Sequence, residues 1–75
     1  MNNSPFTWRE EEIIELLKYG YSYKEIAVKV HLSLRTVNEY ARLILAKMRA
    51  RSMLHAILKA IQEGYIKVEL RKGME

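Results

Sequence analysis

The chain has 75 residues, which is one domain close to the lower size limit for a self-sufficient core, and 49% of the residues are apolar. It contains no cysteine, which excludes disulfides and thiolate chemistry, and no apolar run approaches the roughly 20 residues of a membrane span. The net charge is +4, and it is unevenly distributed. Residues 24–59 carry eight basic and two acidic side chains, whereas residues 1–23 carry two basic and four acidic ones. This distribution favours a polyanionic partner for the middle of the chain.

The first predicted helix follows a short leader. Residues 1–5 are expected to be flexible, and they have neither the charged nor the apolar region of a secretory signal, which is compatible with a cytoplasmic protein. A DNA-binding role would make that protein nucleoid-associated. Thr7 followed three residues later by Glu10 is a capping box, which predicts a helix over about 8–19. Gly20 stands where a left-handed residue would end that helix. Its predicted inner stripe is Ile13, Leu16, Leu17 and Tyr19.

Two further caps follow about eleven residues apart. Ser22 with Glu25 forms a second capping box and predicts helix 2 over 23–30, while Ser33 predicts the start of helix 3, which spans about 34–48. Two helices separated by so short a break form a helix-turn-helix. This motif presents its second helix to the major groove of DNA.

Helix 3 has two distinct faces. Its predicted inner face is Val37, Ala41, Ile44 and Met48, at spacings of i, i+4, i+7 and i+11. The opposite arc holds Arg35, Asn38, Glu39, Arg42, Ala46 and Arg49. Asparagine pairs with adenine and arginine with guanine, each contact contributing roughly 1–3 kcal/mol of discrimination. The outer face is therefore the predicted DNA-reading surface.

A fourth helix is predicted over about 52–63, and its apolar residues cover more of its circumference than one core contact needs. This favours packing against a second copy of the chain, through Met53, Leu54, Ile57, Leu58 and Ile61. Residues 65–72 alternate apolar and polar side chains, which is typical of a strand. The tail over 67–75 is therefore expected to be extended, to pair with its symmetry mate, or to swap onto a partner.

From Phe6 to Ile66 the chain resembles the DNA-binding domain of the LuxR/NarL/GerE family of bacterial transcription regulators. The matching residues are Phe6-Thr7-x-Arg9-Glu10-x-Glu12-Ile13, Leu16-Leu17-x-x-Gly20-x-Ser22-x-Lys24-Glu25-Ile26-Ala27, Leu32-Ser33-x-x-Thr36-Val37, Lys47-Met48, Ala56 and Gly64-Tyr65-Ile66. The length is similar to that of stand-alone, GerE-type members.

The resemblance implies an all-α, four-helix domain in which the third helix enters the major groove and the fourth forms the dimer contact. It implies phosphate contacts for Lys24 and Thr36, and base-facing or phosphate-facing positions for Val37, Asn38 and Arg42. Together with the caps and the charge, the predicted DNA-binding set is Lys24, Ser33, Arg35, Thr36, Val37, Asn38, Arg42 and Lys47. Arg49 replaces the glycine that commonly ends the third helix, so helix 3 is expected either to continue into helix 4 or to turn differently.

The sequence is consistent with two functional hypotheses. The first is a homodimeric, sequence-specific regulator that binds double-stranded DNA. The second is a protein-interaction module on a helix-turn-helix scaffold that modulates RNA polymerase or another regulator, using Trp8, the outer side of helix 4 and the tail. The chain has no Asp, no Cys and no glycine-rich phosphate loop, so no enzyme is predicted. His31 and His55 lack neighbouring ligands, so no metal or cofactor is expected.

Overall fold

The computed structural model describes residues 4–68. It contains four helices, α1 (Trp8–Lys18), α2 (Tyr23–Val30), α3 (Leu34–Met48) and α4 (Met53–Gln62), and no strand within the described range. The all-α, four-helix fold predicted from the sequence is confirmed. None of the helices within residues 4–68 has the length and apolar character needed to cross a membrane.

Each helix begins at a side-chain cap that the sequence encodes locally. The Thr7 hydroxyl accepts from the Glu10 backbone N–H at 3.2 Å, and the Glu10 carboxylate accepts from the Thr7 N–H at 3.0 Å. Ser22 and Glu25 repeat this arrangement at 3.1 and 2.8 Å. Such caps satisfy backbone donors that have no partner within the helix, which fixes where each helix starts.

The helix ends depend on residues in the left-handed region. Gly20 has φ +90°, as expected for a glycine after α1, while His31 and Arg49 have φ 61° and 52°. Arg49 ends α3 because its left-handed backbone lets the Ala50 N–H donate to the Leu45 carbonyl at 3.0 Å. Helix 3 therefore does not continue into helix 4. Arginine adopts the conformation for which glycine is the usual residue.

The core lies between α3 and the other three helices, all of which pack against it. Its buried apolar residues are Phe6, Ile13, Ile14, Ile26, Ala27, Val30, Val37, Ala41, Ile44, Met48, Ala56 and Ala60. The inner face predicted for α3 is confirmed, since all four of its residues are buried. In α1 the prediction was wrong for Tyr19, which is 56% exposed, and Ile14 is buried instead. Because α3 touches every other helix, its orientation is fixed by the whole core.

The chain beyond α4 forms no regular element as far as Val68. The Lys18 ammonium donates to the Lys67 carbonyl, which holds this segment against the end of α1. The strand-like pattern extends over 65–72, and residues 69–72 lie outside the described part of the chain. Residues 65–68 are not in a strand.

Candidate nucleic-acid interface

The helix pair α2–α3 is joined by a three-residue turn. His31 takes the left-handed conformation, and the Leu32 N–H donates to the Ala27 carbonyl at 3.0 Å. Ala27 is itself buried, and its small side chain lets the following helix approach closely. The turn and this packing hold the first turn of α3 in a fixed position beside α2.

The N-terminus of α3 differs from those of α1 and α2 in its charge. The Ser33 hydroxyl accepts from the Thr36 N–H at 3.1 Å and lies 3.0 Å from the Thr36 hydroxyl. The first turn of α3 has no acidic side chain, whereas α1 has Glu10 and Glu11 in its first turn and α2 has Glu25. The positive end of the α3 dipole is therefore not compensated by a carboxylate of its own first turn, which suits a phosphate ligand.

The outer face of α3 presents the polar side chains that the helical periodicity predicts there. Asn38 and Arg42 are exposed, and the Arg35 side chain is 90% exposed. The Arg35 Nε lies 3.9 Å from a Glu39 carboxylate oxygen, one helical turn along. An exposed ion pair of this length contributes little stability, so both side chains can exchange it for other partners. The face therefore offers amide, guanidinium and carboxylate groups to a ligand.

Lys24 lies in the first turn of α2, where it is exposed. Its neighbour Tyr23 is half-buried, and this burial raises the pKa of the Tyr23 phenol above its ordinary value.

The structure corrects the prediction for Val37. Its side chain has no exposed surface and belongs to the core, so it offers nothing to a DNA base. The helical spacing had already placed Val37 on the inner face, whereas the DNA-facing role came only from the family resemblance. Thr36, one residue earlier, is half-buried and remains within the candidate interface.

Lys47 takes part in an internal ion pair. Its ammonium lies 2.6 Å from the Glu10 carboxylate and donates to the Pro5 carbonyl at 3.0 Å. Glu10 is almost fully buried, at 1% exposure, although its position in the first turn of α1 predicted only capping and dipole compensation. The Lys47 ammonium is therefore already paired within the fold, which argues against a phosphate contact. The sequence carries no signal for the contact between Lys47 and Glu10, because the two residues are 37 positions apart.

The predicted dimer surface on α4 is partly open. Leu54 and Leu58 are 69% and 54% exposed, while Met53, Ile57 and Ile61 are half-buried. Beside it lies a depression of about 170 Å³, lined by Lys18, Tyr19, Ile57, Ile61 and Val68. An apolar helix face of this kind is typical of an interaction surface.

Trp8 is a second exposed apolar side chain, at 70% exposure, and the Arg9 guanidinium lies 4.6 Å from its ring centre. Within residues 4–68, no three His, Cys, Asp or Glu side chains are grouped so that they could hold a metal ion.

Comparison with known proteins agrees with this geometry. The sequence model of bacterial regulatory proteins of the luxR family matches residues 4–60. The transcriptional regulatory protein DesR of Bacillus subtilis is 34% identical over 64 residues, which are 85% of this chain and 32% of DesR. The response regulator protein VraR of Staphylococcus aureus is 37% identical over 60 residues, which are 80% of this chain and 29% of VraR.

A solved structure of VqmA bound to DPO is similar with a TM-score of 0.75 at 33% identity, over 85% of this chain and 32% of that one. The chain thus spans about a third of the length of each of these relatives.

Proposed function

The chain belongs to the luxR family of bacterial regulatory proteins, and on that premise we propose that it is a sequence-specific regulator that binds double-stranded DNA with α3 in the major groove. The observation that supports this most strongly is the outer face of α3. Its exposed polar side chains point away from a buried stripe, on a helix that every other helix holds in place. Rigid placement of a few polar groups is what base recognition requires.

In this proposal Asn38, Arg42 and Arg35 face base edges or the phosphates beside them. Lys24, on α2, neutralises a DNA phosphate. Ser33 and Thr36 lie where the N-terminus of α3 approaches the sugar-phosphate backbone of the DNA. The charge distribution supports these roles, because eight of the thirteen basic residues fall within 24–59. Phosphate contacts position a protein on DNA, and base contacts then select the sequence.

We further propose that two copies associate through α4. The support is its exposed apolar surface, Leu54 and Leu58, which lies on the same face of α4 as the half-buried Ile57 and Ile61. A dimer that reads a two-fold symmetric site would need its two α3 helices about 34 Å apart, which is one turn of DNA.

The test is a fluorescence-anisotropy titration of the wild-type chain and its Arg42→Ala variant against a duplex selected by the wild type and a scrambled duplex. A base contact predicts roughly a 5- to 150-fold loss on the selected duplex and little change on the scrambled one. Lys67→Ala is the control, because Lys67 is exposed beyond α4 and the variant loses the same charge. Equal loss on both duplexes would make Arg42 a phosphate contact instead.

If the wild type binds no duplex at any salt concentration, the DNA-binding proposal is wrong. The exposed Trp8 and α4 surface would then favour the other hypothesis, a protein-interaction module that acts on RNA polymerase or another regulator. Loss of binding to such a partner in a Trp8→Ala variant, with no loss in Arg42→Ala, would support that role.

A further inference from the structure

A carboxylate, Glu39, is the polar side chain of α3 that lies most directly opposite its buried stripe, which is unexpected on a surface that meets DNA. At about 100° per residue, Glu39 lies within about 10° of the direction opposite the buried stripe of α3. Ala46 shares this direction with only a methyl group, and Arg35, Asn38 and Arg42 lie to one side. A surface that α3 approaches along this direction therefore meets the Glu39 carboxylate.

A carboxylate restricts what can lie against it. It accepts hydrogen bonds and repels phosphate, and in the major groove it is also repelled by the acceptor atoms of guanine, thymine and the N7 of adenine. The amino groups of cytosine and adenine are the donors on base edges there. The adenine amine lies beside the N7 acceptor, whereas the cytosine N4 amine has no acceptor next to it on its own base edge. Cytosine is therefore the base that best fits a carboxylate.

The surroundings of Glu39 strengthen this restriction. Two shallow depressions of about 250 and 340 Å³ flank it, and both are lined by Glu39 and Leu43. Leu43 is an apolar side chain that is 50% exposed, so a base edge seated there would displace water from one side of the carboxylate. A carboxylate that loses water and gains no hydrogen-bond donor costs binding free energy, so a base without an amino group at this position is bound more weakly.

Arg35 explains how the carboxylate is tolerated near DNA. Its guanidinium lies 3.9 Å from the Glu39 carboxylate and offsets the negative charge that more distant DNA phosphates would otherwise meet. The pair is exposed on both sides and weak, so Glu39 can exchange Arg35 for a base.

From these observations, and resting on the proposed function above, we propose that Glu39 is a specificity-determining residue that selects a cytosine at one position of each half-site by accepting a hydrogen bond from its N4 amine.

The test is selection from a randomised duplex pool with the wild type, Glu39→Gln, Glu39→Ala and the control Glu63→Gln, which loses an exposed carboxylate at the end of α4. We expect one cytosine position in the wild-type motif to lose its preference in Glu39→Ala by roughly 5- to 150-fold. Glu39→Gln should prefer adenine there, because an amide pairs with adenine N6 and N7. Both variants should bind random duplex more tightly than the wild type, since a negative charge is lost, and Glu63→Gln should keep the wild-type motif.

If the Glu39 variants recover the wild-type motif with its preferences unchanged, the inference is wrong and the proposed function stands. If the wild type itself recovers no motif, the proposed function fails and the inference fails with it. Circular dichroism of each variant checks that its fold is retained, which we expect because Glu39 is exposed.

Discussion

The ion pair between Lys47 and Glu10 ties the C-terminal end of α3 to the first turn of α1, and we predict that Lys47→Met destabilises the fold. The variant leaves a carboxylate whose side chain is 2% exposed without its cationic partner. Breaking a fully buried pair costs about 3–5 kcal/mol. The Lys47 side chain is 31% exposed, so water reaches the site, and Glu10 keeps its bond from the Thr7 N–H. We therefore expect a loss of about 2–3 kcal/mol.

For a domain of this size, such a loss lowers Tm by roughly 8–24 °C. The measurement is urea and thermal unfolding followed by circular dichroism at one fixed protein concentration, since association would shift the apparent stability. A double-mutant cycle with Glu10→Gln isolates the pair, and we expect a coupling of about 1–3 kcal/mol.

Glu12→Gln is the matched control, because it breaks the more exposed Arg9–Glu12 pair within α1 and is expected to cost at most about 1 kcal/mol. A Tm for Lys47→Met within the range of that control, or strictly additive losses at Glu10 and Lys47, would refute the assignment of a stabilising buried pair.

Three further predictions concern the caps and the α4 surface. Arg49→Gly should stabilise the fold by about 0.5–1 kcal/mol, since glycine adopts the left-handed backbone without the strain that a side chain causes. The control Ala46→Gly, within α3, should cost about 1 kcal/mol. The opposite order of stabilities in urea unfolding would contradict this prediction. Ser33→Ala should cost about 1 kcal/mol through loss of the α3 cap, and an unchanged urea midpoint would argue against it. Leu58→Glu should halve the mass in sedimentation equilibrium and Leu43→Glu should not; an unchanged mass for Leu58→Glu would exclude α4 as the interface.

The features that could be predicted from the sequence are those with a local physical cause. The caps at Thr7, Ser22 and Ser33 act over three residues, so the helix starts follow directly from the residue types. The outer face of α3 follows in the same way from its period, because apolar residues spaced at i, i+4 and i+7 leave the opposite arc to solvent.

The features that could not be predicted depend on tertiary contacts. Nothing near Glu10 in the sequence indicates that it is buried, because its partner Lys47 is brought to it only by the packing of α1 on α3. Tyr19 follows Leu16 by three residues, but at about 100° per residue it lies roughly opposite the side of α1 that buries Ile13 and Ile14, and only the packing of α1 shows which side that is. Arg49 could not be assigned a left-handed backbone from its residue type, since arginine disfavours it.

Whether the outer face of α3 reads double-stranded DNA is tested most directly by titrating the wild-type chain against a randomised duplex pool at two salt concentrations and sequencing the retained fraction. We expect an enriched, two-fold symmetric motif and an affinity that falls steeply with salt, by a logarithmic slope of about 0.9 for each phosphate neutralised. Salt-dependent retention without enrichment would contradict sequence-specific reading, and no retention at either salt concentration would contradict DNA binding altogether.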